Sequence, residues 1–206
     1  MKIILLILGL AVIVTLWKDH SVKHDISPLK KNEKILAFGD SLTYGFGTDI
    51  KNSYPTVLAE KTGLEIINAG INGETSSDGL KRLPSLLSDT AITHMILCFG
   101  GNDILQKLSL SQLKQNLKQM IAIAQSRKVK VLLISVPDVS IFGLSPLSLY
   151  TEVAEETDTA LLSGVLATIL SDPRLKSDQI HPNAKGYQKM AEKIYEKLKE
   201  EGWIEN

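Results

Sequence analysis

A serine hydroxyl attacks a carbonyl only when a base takes its proton, and the base works best when a carboxylate orients its ring. The chain offers few such bases: it has 4 histidines in 206 residues. His20 and His24 lie in a polar stretch near the N-terminus, and His94 opens an apolar run. His181 stands in the segment 177–182, Ser-Asp-Gln-Ile-His-Pro, with Asp178 just upstream. In a tight turn that spacing lets the carboxylate reach the near ring nitrogen and turns the other nitrogen outward. Asp178 also suits a purely turn-forming role, and both descriptions can hold at once. The serine to pair with this base is Ser41, in Gly39-Asp40-Ser41-Leu42, directly after the apolar run Ile35 to Phe38. Its hydroxyl can enter a crevice from there, although a serine at the start of a helical turn is also an ordinary N-cap.

Acyl transfer further needs hydrogen-bond donors aimed at the developing oxyanion. Three are available. Asn102 carries a side-chain amide just after another apolar run, and Gly73 offers a backbone N–H that can be approached closely. The N–H of Ser41 itself is the third. Asn102 also reads as a turn asparagine, and Asn72-Gly73 as a turn dipeptide.

These residues lie far apart in sequence, so a fold must gather them. Apolar strands are expected at Ile35–Phe38, Leu64–Ile67, Met95–Phe99 and Val129–Ser135. Helices are expected at Ser53–Lys61, at Ser76–Leu87 with a kink at Pro84, and at Asn183–Lys199. The clearest helix is Ser109–Ser126, opened by a capping box of Ser109 and Gln112. Asp158–Leu162 reads as the end of another helix, and Val165–Leu170 as a fifth strand, a helix fitting it nearly as well. Near-continuously apolar strands alternating with helices imply a parallel sheet covered on both faces. Ligands of such sheets bind beyond the carboxyl ends of the strands. The clusters Gly39–Ser41, Asn68–Thr75 and Gly100–Asp103 fall at those ends. Pro137–Tyr150 carries Ile141, Phe142, Leu144 and Leu147, which either line an apolar pocket or pack.

Taken together, the blocks Gly39–Leu42, Asn68–Thr75, Gly100–Asp103 and Asp178–Asn183 resemble, in order and position, the four signature blocks of the SGNH/GDSL hydrolase family. The match is to its bacterial thioesterase I / lysophospholipase L1 / arylesterase branch, and it runs from Lys34 to about Leu198. The resemblance implies a flavodoxin-like three-layer α/β/α sandwich with a central parallel sheet. It also implies Ser41 as nucleophile, Asp178 and His181 as the rest of a catalytic triad, and Ser41, Gly73 and Asn102 as the oxyanion hole. The implied activity is hydrolysis of a small-molecule acyl ester or thioester, lysophospholipid among them, with no cofactor and no metal. Within the family the alternative is a carbohydrate O-deacetylase. The apolar residues of 137–150 favour acyl chains.

The N-terminus is of another kind. Ile3 to Trp17 is an uncharged, apolar run between Lys2 and Lys18, with Thr15 its one hydroxyl residue and without a small-residue cleavage site or an adjacent cysteine. We read residues 1–17 as an apolar helix serving as a signal anchor or transmembrane segment, 18–33 as a tether and 34–206 as the hydrolase domain. That places the domain on the exported side of a membrane, the alternative being secretion after signal cleavage. Equal numbers of basic and acidic residues, 23 of each, argue against a nucleic-acid partner. The lone Cys98, inside an apolar run, reads as a core residue. Nucleotide binding lacks its motif: Gly45 and Gly47 begin a G-x-G, but position 50 is isoleucine. A membrane-tethered binding module without catalysis would have no use for an intact Ser, Asp and His set.

Overall fold

A computed structural model describes residues 28–140 and 143–205. The apolar run Ile3–Trp17, the pair His20 and His24, and Ile141 and Phe142 lie outside the described residues. The chain opens with β1 (Lys34–Gly39), the short α1 (Ser41–Tyr44), a 3-10 turn at Ile50–Asn52, α2 (Tyr54–Thr62), β2 (Glu65–Gly70) and α3 (Ser76–Leu86). Then come β3 (Ile92–Cys98), α4 (Gly101–Leu105), α5 (Leu110–Ser126), β4 (Lys130–Ile134) and the strand pair β5 (Pro137–Ser140) and β6 (Gly143–Pro146). The chain closes with α6 (Ser148–Thr157), β7 (Ala160–Leu162), α7 (Val165–Ser171) and α8 (Ala184–Glu200).

β2-β1-β3-β4-β7 form one all-parallel sheet, and β5 and β6 pair separately as an antiparallel hairpin. Counted along the main sheet, this is the 2-1-3-4-5 order of flavodoxin-like folds, in which the chain reverses direction across the sheet between β1 and β3. Helices α2, α7 and α8 pack together as one layer and α3, α5 and α6 as the other. With both faces covered, Ile35–Phe38, Met95–Cys98 and Leu132–Ile134 are wholly buried, which is why these strands read as continuous apolar runs. Met190, Ala191, Ile194 and Leu198 of α8 are equally buried, at the helical spacing the sequence displays. Leu29 packs on the core and its N–H donates to the carbonyl of Trp203, so the end of the stretch read as a tether docks on the domain.

Two assignments change. The fifth strand is Ala160–Leu162, not Val165–Leu170, which is helix α7. Residues 158–162 do not finish a helix. Asp158 adopts a left-handed conformation (φ 48°) that ends α6, and the extended residues after it pair with β4. Val165, Leu166, Ile169 and Leu170 are buried at helical spacing, and Gly164 (φ 75°) turns the chain into the helix. Apolar periodicity over so few residues fits strand and helix alike, and the left-handed caps decide between them. The capping box is half formed: Ser109 caps the N–H of Gln112, but the Gln112 amide donates to Asn116 instead of returning to Ser109.

Candidate functional site

β1, β2 and β3 end in register, Gly39 opposite both Gly70 and Cys98, so the segments after them share one rim. The turn after β1 folds back tightly over the strand ends. A Cβ on Gly39 would sit 2.2 Å from the Thr43 hydroxyl and 2.4 Å from the Cys98 carbonyl, so this position has room only for glycine. The cap of α1 is Asp40, whose carboxylate accepts from the Leu42 N–H at 2.9 Å. The capping role considered for Ser41 therefore belongs to its neighbour, and the Ser41 hydroxyl is turned to His181, with Oγ and Nε2 3.0 Å apart.

His181 is held from behind. Its Nδ1 lies 2.8 Å from Asp178 Oδ2, while Asp178 Oδ1 accepts the N–H groups of Ile180 and His181, each at 2.8 Å. Asp178 is thus both the turn former and the orienting carboxylate. Burial works against its charge, but those N–H donors and the imidazole outweigh it and hold the carboxyl below its ordinary range. The His181 ring packs against Phe46, centroids 4.5 Å apart, and the Tyr187 hydroxyl fixes the Phe46 carbonyl at 2.9 Å. The Ser-His-Asp relay can therefore move the serine proton to Nε2 while the carboxylate stabilises the imidazolium.

Gly73 sits in the turn Ile71–Glu74 at φ 78°, and a Cβ there would touch nothing within 4 Å. The space beside its Cα is therefore open, which leaves room for a ligand to come close. Asn102 lies in the first turn of α4, and its Nδ2 donates to the Glu74 carbonyl at 3.0 Å with a longer contact of 3.5 Å to Asp40 Oδ2. Ser41, Gly73, Asn102 and His181 all line one cavity of about 230 Å³. Eight apolar residues line it too, from Leu42 and Phe46 after β1 to Leu170 and Ile180. Every exposed large hydrophobic residue among those described follows β1, β2 or β3 on this same rim: Tyr44, Phe46 and Ile50, then Ile71, then Leu105, Leu108 and Leu110. Of the residues considered for the pocket in 137–150, Leu147 packs against the core and Leu144 is half-buried away from the cavity lining.

Three features had no signature in the sequence. Asp40 is buried, and desolvation pushes its carboxyl up to about 7, with the charges of Asp103 and Glu74 adding to the push and the Leu42 N–H opposing it. Asp103 accepts from both the N–H and the hydroxyl of Ser76, tying α4 to α3. Arg82 grips Glu74 through Nε and Nη2. The contacts of all three cross between elements, which periodicity does not report. Among the described residues no group of three or more His, Cys, Asp or Glu side chains could hold a metal ion.

A GDSL-like lipase/acylhydrolase family model matches residues 37–189, and the chain belongs to that family. It is similar to esterase TesA of Pseudomonas aeruginosa, 29% identical over 177 residues, covering 81% of this chain and 88% of the relative. It is similar also to thioesterase 1/protease 1/lysophospholipase L1 of Escherichia coli K12, 29% identical over 158 residues, covering 73% of this chain and 76% of that one. In three dimensions it matches the psychrotrophic esterase EstA from Pseudoalteromonas, crystallised inhibited by monoethylphosphonate. That match has a TM-score of 0.71 at 26% identity, over 82% of this chain and 97% of EstA.

Proposed function

We propose that this carboxylic ester or thioester hydrolase works through an acyl-enzyme on Ser41, with His181 as general base and Asp178 as its orienting carboxylate. The observation that carries the reading is the unbroken chain of contacts from Ser41 Oγ to His181 Nε2 (3.0 Å) and from His181 Nδ1 to Asp178 (2.8 Å), opening into an apolar cavity. Ser41 Oγ attacks the carbonyl carbon as Nε2 takes its proton. The carbonyl oxygen becomes an oxyanion, received by the N–H groups of Ser41 and Gly73 and by the Asn102 amide. As the tetrahedral intermediate collapses, the C–O or C–S bond breaks and the imidazolium protonates the leaving group. Water, deprotonated by the same nitrogen, then releases the acid.

The walls support one class of substrate over the other. Eight apolar side chains line the cavity, the exposed Phe46 and Leu105 among them, which suits an acyl chain and gives a sugar few hydrogen-bond partners. Acyl esters, acyl thioesters and lysophospholipids are thus the favoured substrates over acetylated carbohydrates. We extend the reading to the membrane: residues 3–17 would anchor the enzyme with its domain on the exported side. No helix among the described residues is long and apolar enough to cross a bilayer. Leu29 meets Trp203 near the amino end of β1, so a tether would join the domain at the end of the sheet opposite the site.

A fluorophosphonate should label the protein on Ser41, and Ser41→Ala should abolish both label and turnover. Undiminished hydrolysis by Ser41→Ala would end the assignment. In a panel of esters, acyl chains should be preferred to acetylated sugars; the reverse order would favour the deacetylase. Fractionation should recover the full-length chain with membranes, and external protease should cut it in spheroplasts. Recovery in the soluble fraction would overturn the anchor, and protection would overturn the orientation.

A further inference from the structure

Each of the three proposed oxyanion donors comes from a different loop: Ser41 from the turn after β1, Gly73 from the turn after β2, Asn102 from α4 after β3. Beyond the strand ends the backbone joins these loops by a single bond, from the Ile71 N–H to the Gly39 carbonyl, yet a hole works only if its donors keep their spacing to a fraction of an ångström. One side chain outside the hole touches the support of all three. Arg82, on α3, donates from Nη2 to the carbonyl of Gly39 at 3.2 Å and to that of Ala69 at 2.8 Å. Its Nε donates to both oxygens of Glu74, at 2.7 and 2.9 Å, and Nη2 closes the pair. Glu74 in turn presents the carbonyl that takes the Asn102 amide at 3.0 Å, and the Ile71 N–H returns to Gly39 at 3.2 Å. The Phe38 ring packs under the guanidinium, 4.4 Å from centroid to carbon.

We propose that Arg82 is the positioning residue of the oxyanion hole, acting through Glu74, Gly39 and Ala69 to fix the three donors relative to one another. This rests on the assignment of Ser41, Gly73 and Asn102 as that hole. The chemistry demands arginine. A planar fork with five N–H donors can serve a carboxylate and two carbonyls at once, whereas a lysine ammonium is a single point with no fixed geometry. The side chain of Glu74 is only 8% exposed, so its charge needs this partner to remain buried. By holding Glu74, Arg82 also holds the Glu74 carbonyl that takes the Asn102 amide.

A role confined to folding would lower stability and leave the turnover of the folded enzyme intact. A positioning role must lower kcat, spare KM, and depend on Asn102. The test is a cycle of wild type, Arg82→Met, Asn102→Ala and the double variant, each measured for kcat, KM and rate of fluorophosphonate labelling. Arg82→Lys takes the place of Arg82→Met should the methionine variant not fold. We expect the Arg82 change to cut kcat and labelling roughly 10- to 100-fold with KM within about threefold, and to cost severalfold less when Asn102 is already alanine. Glu74→Gln, which keeps an oxygen acceptor for Nε, should retain more activity than Glu74→Ala. Full multiplicativity in the cycle, or a kcat within about twofold of wild type, overturns the role of Arg82 while leaving the hole standing. If Asn102→Ala alone leaves kcat unchanged, Asn102 is not a donor of the hole and the Arg82 proposal, which needs it, falls with that assignment, while the acyl-enzyme on Ser41 stands by its own test.

Discussion

The two ends of the central sheet each hold a histidine, and the protein treats them oppositely. At the carboxyl end, His181 has both ring nitrogens engaged, Nε2 by Ser41 and Nδ1 by Asp178. At the amino end, His94 of β3 is buried, its Nδ1 beside the Thr93 hydroxyl at 2.9 Å and its Nε2 without a hydrogen-bond partner among the described residues. Trp203 packs edge-on against it, centroids 4.4 Å apart. Burial, aided by Lys130, pushes the His94 imidazole down to about 3. A histidine with a carboxylate behind it and a hydroxyl before it is equipped to carry a proton. One sealed under a tryptophan stays neutral and packs. The residue type says nothing about which is which; the partners do.

The sharpest way to break this comparison is to remove each ring in turn. His181→Ala should reduce kcat by roughly 10⁴ to 10⁶, since a triad without its base retains only what binding and the oxyanion hole supply. His94→Phe should leave kcat within about twofold, because no part of the site touches it. A large loss in the second variant, or a small one in the first, would collapse the distinction. A general base must be unprotonated to act, so kcat/KM should show an acid limb, and Asp178, held below the ordinary carboxylate range, is not its source. Asp178→Asn should therefore lower the rate without abolishing that limb.

A smaller effect is expected where one donor of several is lost. Asn102→Ala should lower kcat by about 10² to 10³, with KM little changed, as befits an interaction made mainly in the transition state. A change confined to KM would move Asn102 from the reaction to substrate binding.

How much of this was legible from the chain depends on how far each signal reaches. Strand ends with glycine and polar residues are local, so the sequence alone places Ser41, Gly73 and Asn102 on one rim. The Asp178–His181 spacing is local too, and it folds into the turn that spacing suggests. The short segments after α6 were not legible: three residues of β7 and seven of α7 are too few for a period to show, and Asp158 and Gly164, the residues that decide, act by backbone sign alone. Phe46 on His181, Tyr187 on Phe46 and Arg82 on the Gly39 carbonyl join elements remote in sequence, and no pattern along the chain announces them. The charge state of Asp40 was hidden for a like reason. Its position in Gly-Asp-Ser-Leu is plain, but its burial and its nearness to Asp103 and Glu74 are tertiary facts.

The smallest effect on turnover, and the finest test of the two ends, is in the pH dependence of stability. Asp40, at the carboxyl end of the sheet, has its carboxyl raised from an ordinary 3.8 to about 7. Between those values the folded state holds a proton that the unfolded chain has released, so Asp40 makes stability fall as pH rises. His94, at the amino end, is lowered from 6.5 to about 3. Between those values the unfolded chain holds the proton that the folded state refuses, so His94 makes stability rise with pH. In the wild type the two slopes oppose each other from about pH 4 to pH 6.5, and the net dependence from this pair should be shallow. His94→Phe removes one slope and should leave a protein that loses stability on going from pH 4.5 to 6.5 relative to wild type. Asp40→Asn, which keeps an acceptor for the Leu42 N–H, should gain stability relative to wild type over the same interval. Urea midpoints at three pH values in that range read both changes, because a common change in surface exposure cancels in the comparison. Parallel profiles for the three proteins would mean that neither buried group keeps its unusual charge state, and the contrast between the two ends would then rest on contacts alone.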